Sequence, residues 1–120
     1  MRSKFMCVLA MLAASMFLSG CDAPGEGPRA EQARAIANGV VQRVDVYYQA
    51  HGGYPTSLSE IDPNLEGEVL GSPENPVRIF YRSSSPERYE INFKYYGPGS
   101  NICGRTSELG PDDWSCVGAY

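Results

Sequence analysis

Apolar residues recur three and four positions apart at Ala33, Ile36, Ala37, Val40, Val41, Val44, Tyr47 and Tyr48, while Arg34, Gln42, Arg43, Asp45 and Gln49 fall mostly on the other side. That spacing is one face of a helix starting near Arg29, and such a face needs a sheet to cover it. The helix should stop at Gly52, which takes left-handed backbone at no steric cost, with His51 beside the last carbonyls and Pro55 forbidding continuation. Ser57 to Glu60 then has the Ser-x-x-Glu spacing of a capping box, suited to a short helical turn that buries Leu58 and Ile61.

Further on the period changes to two. Val77, Ile79 and Tyr81 alternate with Arg78, Phe80 and Arg82, and Tyr89, Ile91, Phe93 and Tyr95 alternate with Arg88, Glu90, Asn92 and Lys94. The two runs predict a β-hairpin turning at Ser83 to Glu87, with one face on the helix and the charged face toward water or a partner. Phe80, the aromatic on the charged face, reads as a residue under a loop, the alternative being a binding hot spot. A strand over Ser115 to Ala119 would extend the sheet to three or four strands. The fold class expected is α+β, one N-terminal amphipathic helix on a small antiparallel sheet.

The start of the chain follows another logic. Arg2 and Lys4 precede an apolar run from Phe5 to Phe17, and Leu18-Ser19-Gly20 leads into Cys21. Thirteen residues are too few to span a bilayer, which takes about 20, so the run reads as an export signal rather than a lasting membrane helix. The Leu-Ser-Gly-Cys tetrad resembles the lipobox of bacterial lipoproteins. That resemblance implies removal of residues 1–20, acylation of Cys21 as the new first residue, and attachment to a membrane facing the periplasm. The competing reading is an ordinary secretory signal with a chance cysteine. Asp22 resembles the residue that retains enterobacterial lipoproteins in the inner membrane. Residues 21–28, rich in Gly and Pro, read as a short flexible tether, and residues 29–120 as one domain.

Composition narrows the class. The whole chain carries a net charge of −4, and losing Arg2 and Lys4 with the leader makes it −6. Nucleic acid is therefore not an expected partner. An acidic body is also repelled by anionic lipid, so the acyl chains are expected to do the anchoring, at roughly 0.8 kcal/mol per buried methylene. With Cys7 in the leader and Cys21 acylated, Cys103 and Cys116 remain in an oxidising compartment, where they should pair and stabilise the domain by about 3 kcal/mol. A metal site or redox dithiol would need more ligands or a C-x-x-C spacing.

A second resemblance covers Val40 to Ile61. A helix ending in Tyr47-Tyr48, then His51-Gly52 and Tyr54-Pro55-Thr56-Ser57-Leu58, is similar to the junction where the long helix of type IV pilins and type II secretion pseudopilins enters the globular head. Asn101-Ile102-Cys103 and Trp114-Ser115-Cys116 resemble the disulfide-bounded terminal region of those heads. The resemblance implies a pilin-head-like domain with a C-terminal disulfide loop. Pilins, however, keep an apolar N-terminal helix after processing and carry a glutamate at the fifth mature position. Here the apolar run lies before Gly20 and residue 25 is Gly, so entry into a filament core as a standard subunit is not expected.

No enzyme constellation emerges. The single histidine, His51, reads as a helix cap, and no Gly-rich segment, Gly97 to Gly99 included, matches a phosphate cradle. No cofactor is expected. Glu108, Asp112 and Asp113 inside the disulfide loop resemble the calcium region of some major pseudopilins, but match no strict loop motif and read more simply as a solvated acidic turn. Of Tyr47, Tyr48, Tyr54, Tyr95, Tyr96 and Tyr120, most rings should be half-buried at the helix and sheet margins, with an exposed remainder open to a partner, and Trp114 should be core rather than a recognition residue. The expected function is non-catalytic: a lipid-anchored periplasmic binding or accessory protein whose protein partner is a pilin-like subunit or envelope component. The alternative is a periplasmic inhibitor or immunity lipoprotein acting against an envelope-targeting hydrolase.

Overall fold

Pro28 to His51 form a helix of 24 residues, α1, that lies across one face of an antiparallel sheet. The computed structural model of the chain describes residues 23–65, 69–97, 100–110 and 113–119. The leader 1–20, Cys21, Asp22, Pro98, Gly99, Asp112 and Tyr120 lie outside the described residues. Pro28 opens the helix, where its missing N–H costs nothing, and Glu31 sits in the first turn beside the free amides. Ala30, Ala33, Ala37, Val40, Val41 and Val44 are the buried face. The three alanines at its start let the helix approach the sheet closely, and the valines then fill the space beyond. Gly52 ends the helix in left-handed backbone at φ 76°, its N–H donating to the Tyr48 carbonyl at 2.7 Å.

Two single 3-10 turns, Leu58–Glu60 and Pro63–Leu65, bring Leu58 and Leu65 into the core. The capping box forms only in part. Glu60 reaches back, accepting from the Thr56 N–H at 2.7 Å, but Ser57 makes no capping bond and its hydroxyl pairs with that of Ser59. The Glu60 N–H that a Ser57 cap would serve donates instead to the Ser57 carbonyl at 3.3 Å, the short-range bond of a 3-10 turn.

The sheet has five strands in sequence order: β1 (Val69–Ser72), β2 (Asn75–Ser85), β3 (Arg88–Tyr96), β4 (Ser100–Thr106) and β5 (Ser115–Ala119). It is two strands wider than the hairpin plus Ser115–Ala119, and wider than the three or four strands the sequence suggested. Register sorts the side chains into rows. Val77 faces Tyr95 and Tyr95 faces Asn101, while Ile79, Phe93, Cys103 and Cys116 form the next row, all on the helix side. Ile91, Phe93, Val77 and Cys103 are fully buried there. The hairpin turn is tighter than predicted: β2 continues to Ser85 through an irregularity between Arg82 and Ser85, leaving Pro86 and Glu87 as the turn. Ser83 Oγ lies 2.7 Å from the Ser85 carbonyl and 3.0 Å from that of Arg88, which holds the bulged backbone.

The segment read as a flexible tether is docked over its described part. Ala23 and Glu26 close a turn, the Gly25 N–H donates to the Tyr95 hydroxyl at 2.7 Å, and Arg34 donates to the Gly25 carbonyl at 2.6 Å. Gly25 has φ +82°, and a Cβ there would stand 2.6 Å from Cys116 Sγ, so only glycine fits between turn and disulfide.

Candidate functional site

Among the described residues three surfaces have the shape or exposure of a site, and each is built by a different consequence of the fold. The first is a cleft of about 320 Å³ on the flank of α1, where Asn38, Gln42 and Asp45 face Tyr89 and Ser107. Arg105, inward-pointing on β4, is buried at its base. Its guanidinium donates to the Leu109 carbonyl at 2.9 Å and lies 5.6 Å from the Trp114 ring centroid, while Nε has no hydrogen-bond partner. Burial pushes the Asp45 carboxyl up from its ordinary range, and the Arg105 charge opposes that rise. Burial likewise raises the Tyr89 phenol. A buried cation, a partly desolvated carboxylate and amide side chains can hold a polar group, but they supply no nucleophile with a base beside it.

The second surface is an apolar groove of about 540 Å³ on the solvent side of α1, lined by Gly39, Val46, Tyr47, Ala50, His51 and Ile61. His51 behaves as the expected cap: Nδ1 is 3.0 Å from the Tyr47 carbonyl and its ring stacks on that of Tyr47 at 3.9 Å. The neighbouring tyrosines form a chain, with Tyr54 between Tyr48 and Tyr89, and Tyr81 stacked on Tyr89. Tyr81 donates to the Pro55 carbonyl at 2.7 Å, and burial pushes its phenol up to about 12. Tyr95 is fully buried rather than half-buried, because its hydroxyl is spent on the Gly25 turn.

The third is the face of the sheet that α1 leaves open. Phe80 sits there 51% exposed, in register with Asn92, and no loop among the described residues covers it, contrary to the sequence reading. Arg82 pairs with Glu90 and Arg88 with Glu108 at 3.0 Å.

The remaining sequence-predicted residues are accounted for. Cys103 and Cys116 stand opposite each other on β4 and β5, Cα atoms 4.0 Å apart, and are joined by a disulfide. Trp114 packs edge-on against Phe93 and donates from Nε1 to Asn38 Oδ1 at 2.9 Å, so it is half-buried against the edge of the core rather than within it. Glu108, a calcium candidate, is engaged by Arg88, and the Asp113 N–H donates to the Gly110 carbonyl at 3.3 Å. Asp112 lies outside the described residues, as does Cys21. Among the described residues no three His, Cys, Asp or Glu side chains come together as a metal site, and no helix is long and apolar enough to cross a membrane. Sequence reasoning missed the Arg105 cleft. The sequence carries no clear signal for it, since only the pairing of β4 with β3 puts Arg105 on the inward side, two residues past the buried Cys103.

No protein-family model, no curated protein and no solved structure matches the chain.

Proposed function

We propose that this chain is a non-catalytic lipoprotein of the bacterial envelope, held on the periplasmic side of a membrane by acyl chains on Cys21 and working by binding another protein. The observation that carries the reading is the Leu18-Ser19-Gly20-Cys21 tetrad at the end of an apolar run too short to span a bilayer. Two further features favour it. A disulfide joins the last two strands, which suits an oxidising compartment. The first described residues dock on the fold immediately after position 22, so an anchor at Cys21 would hold a folded head and not a loose end.

The partner reading rests on the resemblance to pilin heads. The order of long helix, short turns, antiparallel sheet and a disulfide between the last two strands is compatible with it. In this reading the chain is an accessory to a type IV pilus or type II secretion-like assembly, without the apolar stalk that would make it a filament subunit, and the inner membrane is its place.

Crosslinking in cells followed by purification tests the proposal. Recovery of pilin-like or secretion components supports it. Recovery of a basic envelope hydrolase instead assigns the chain to the inhibitor class. Cys21→Ala should move the protein out of the lipid-anchored membrane fraction, and unchanged fractionation would contradict the anchor.

A further inference from the structure

The net charge of the chain hides a segregation that only the register reveals. The outward side chains of β2 and β3 include Arg78, Arg82, Arg88 and Lys94 against one carboxylate, Glu90, although acidic residues outnumber basic ones over the whole sequence. Arg82 and Arg88 have carboxylate partners; among the described residues Arg78 and Lys94 have none.

The same face collects the apolar side chains that the fold fails to cover. Of the eight large apolar residues that stay exposed among the described residues, Val69, Phe80, Tyr96, Ile102 and Val117 are on it. Four pairings, Val69 with Arg78, Arg78 with Lys94, Lys94 with Ile102, and Ile102 with Val117, align one row across all five strands. At about 4.8 Å per interstrand step the row is roughly 19 Å wide. Lys94 lies over the Tyr96 ring, 5.4 Å from its centroid. Adjacent cations flanked by apolar and aromatic side chains on one face are the composition of a surface that rests in a bilayer interface, the aromatic and aliphatic groups at headgroup depth and the cations on phosphate.

The chain's own path says which edge meets the lipid. Pro24 lies against Gly118 and Gly25 against Cys116, both on the helix side of β5, so the ordered N-terminal segment meets the sheet at its edge strand, whose opposite side carries Val117 at 67% exposure. Ala23 is two residues from Cys21, at most about 7 Å of extended chain. We infer that the open sheet face, with Arg78 and Lys94 at its centre, is a docking surface for a bilayer containing anionic phospholipid, and that the head lies on the membrane through it. This rests on the proposed anchor at Cys21 for its orientation, and adds a second, electrostatic contact that the overall acidity of the chain argues against.

Lys94 gives a direct readout, because Lys4 is the only other lysine and leaves with the leader. The processed full-length protein is mixed with vesicles of phosphatidylcholine alone or with one third phosphatidylglycerol, floated, and treated with an amine-acylating reagent whose attachment at Lys94 is followed by mass spectrometry. The inference predicts flotation with both vesicles and labelling of Lys94 slower by up to about 25-fold with phosphatidylglycerol, since Arg78 and Lys94 held at an anionic surface each contribute a factor of about five. High salt should restore the rate, as should Arg78→Glu at its exposed position. Flotation with both vesicles at equal labelling rates keeps the anchor and overturns the docking face. Flotation only with phosphatidylglycerol, with Lys94 protected, keeps the face and overturns the anchor. Protection of Lys94 in native membranes without any effect of phosphatidylglycerol overturns the lipid assignment and gives the face to an acidic protein.

Discussion

The two faces of the sheet are made by alternate residues of the same strands, yet they obey opposite rules. On the covered face Val77, Ile91, Phe93 and Tyr95 are sealed by α1, and burial there holds the fold together. On the open face Phe80 and Ile102 lie one residue away from buried neighbours, and with Val117 they remain in contact with solvent. The difference teaches that hydrophobicity alone does not assign a role in so small a domain. Side chains of similar character stabilise on one side, and on the other contribute almost nothing to folding and are available for contact.

Substitutions at Phe93 and Phe80 should diverge most. Phe93→Ala empties a site packed against Trp114 and Tyr95, and should cost about 3–5 kcal/mol in urea unfolding. A cost near that of an exposed site would break the comparison. Cys103→Ser comes next: it opens the link between β4 and β5 on the covered side and should cost about 3 kcal/mol, read as a lowered melting temperature under non-reducing conditions.

A smaller effect is expected at the margin between the faces, where Tyr81 is half-buried. Its phenol is raised from 10.0 to about 12, so the stability it contributes is complete below pH 10 and lost as pH rises through 12. Tyr54 and Tyr89 are shifted in the same direction. Alkaline titration of phenolate absorbance should show late-titrating tyrosines in the folded protein, and Tyr81→Phe should remove one of them while costing about 1 kcal/mol for the bond to Pro55. Least affected should be Phe80→Ala, within about 0.5 kcal/mol of the parent. A larger loss there would mean that the open face is part of the core.

The sequence was legible where periodicity and backbone chemistry agreed. Alanines and valines at helical spacing placed α1, Gly52 placed its end, and strict alternation placed β2 and β3. It was not legible at β4, whose inward residues are Asn101, Cys103 and Arg105; a strand with a buried amide and a buried guanidinium does not read as amphipathic. Nor was β1, four residues with only Val69 and Leu70 apolar, although Ser72-Pro73-Glu74-Asn75 marks the turn beyond it. Asn75 there ties the sheet to α1, donating to the Arg29 carbonyl at 3.1 Å and to Gln32 at 3.0 Å. The Gly25 turn was hidden because Gly and Pro read as flexibility, whereas its glycine is required by the close approach of Cys116. The open face was hidden for a different reason. Val69, Ile102 and Val117 come from three separate strands, and only the pairing register makes them neighbours.

The membrane anchor is where the functional account is most exposed. Mass spectrometry of the protein extracted from bacterial membranes, digested and read at its N-terminal peptide, tests it most directly. The account predicts a mature chain beginning at Cys21 and carrying the mass of acyl groups on that residue; a peptide that retains residues 5–17, or an unmodified Cys21, would contradict it.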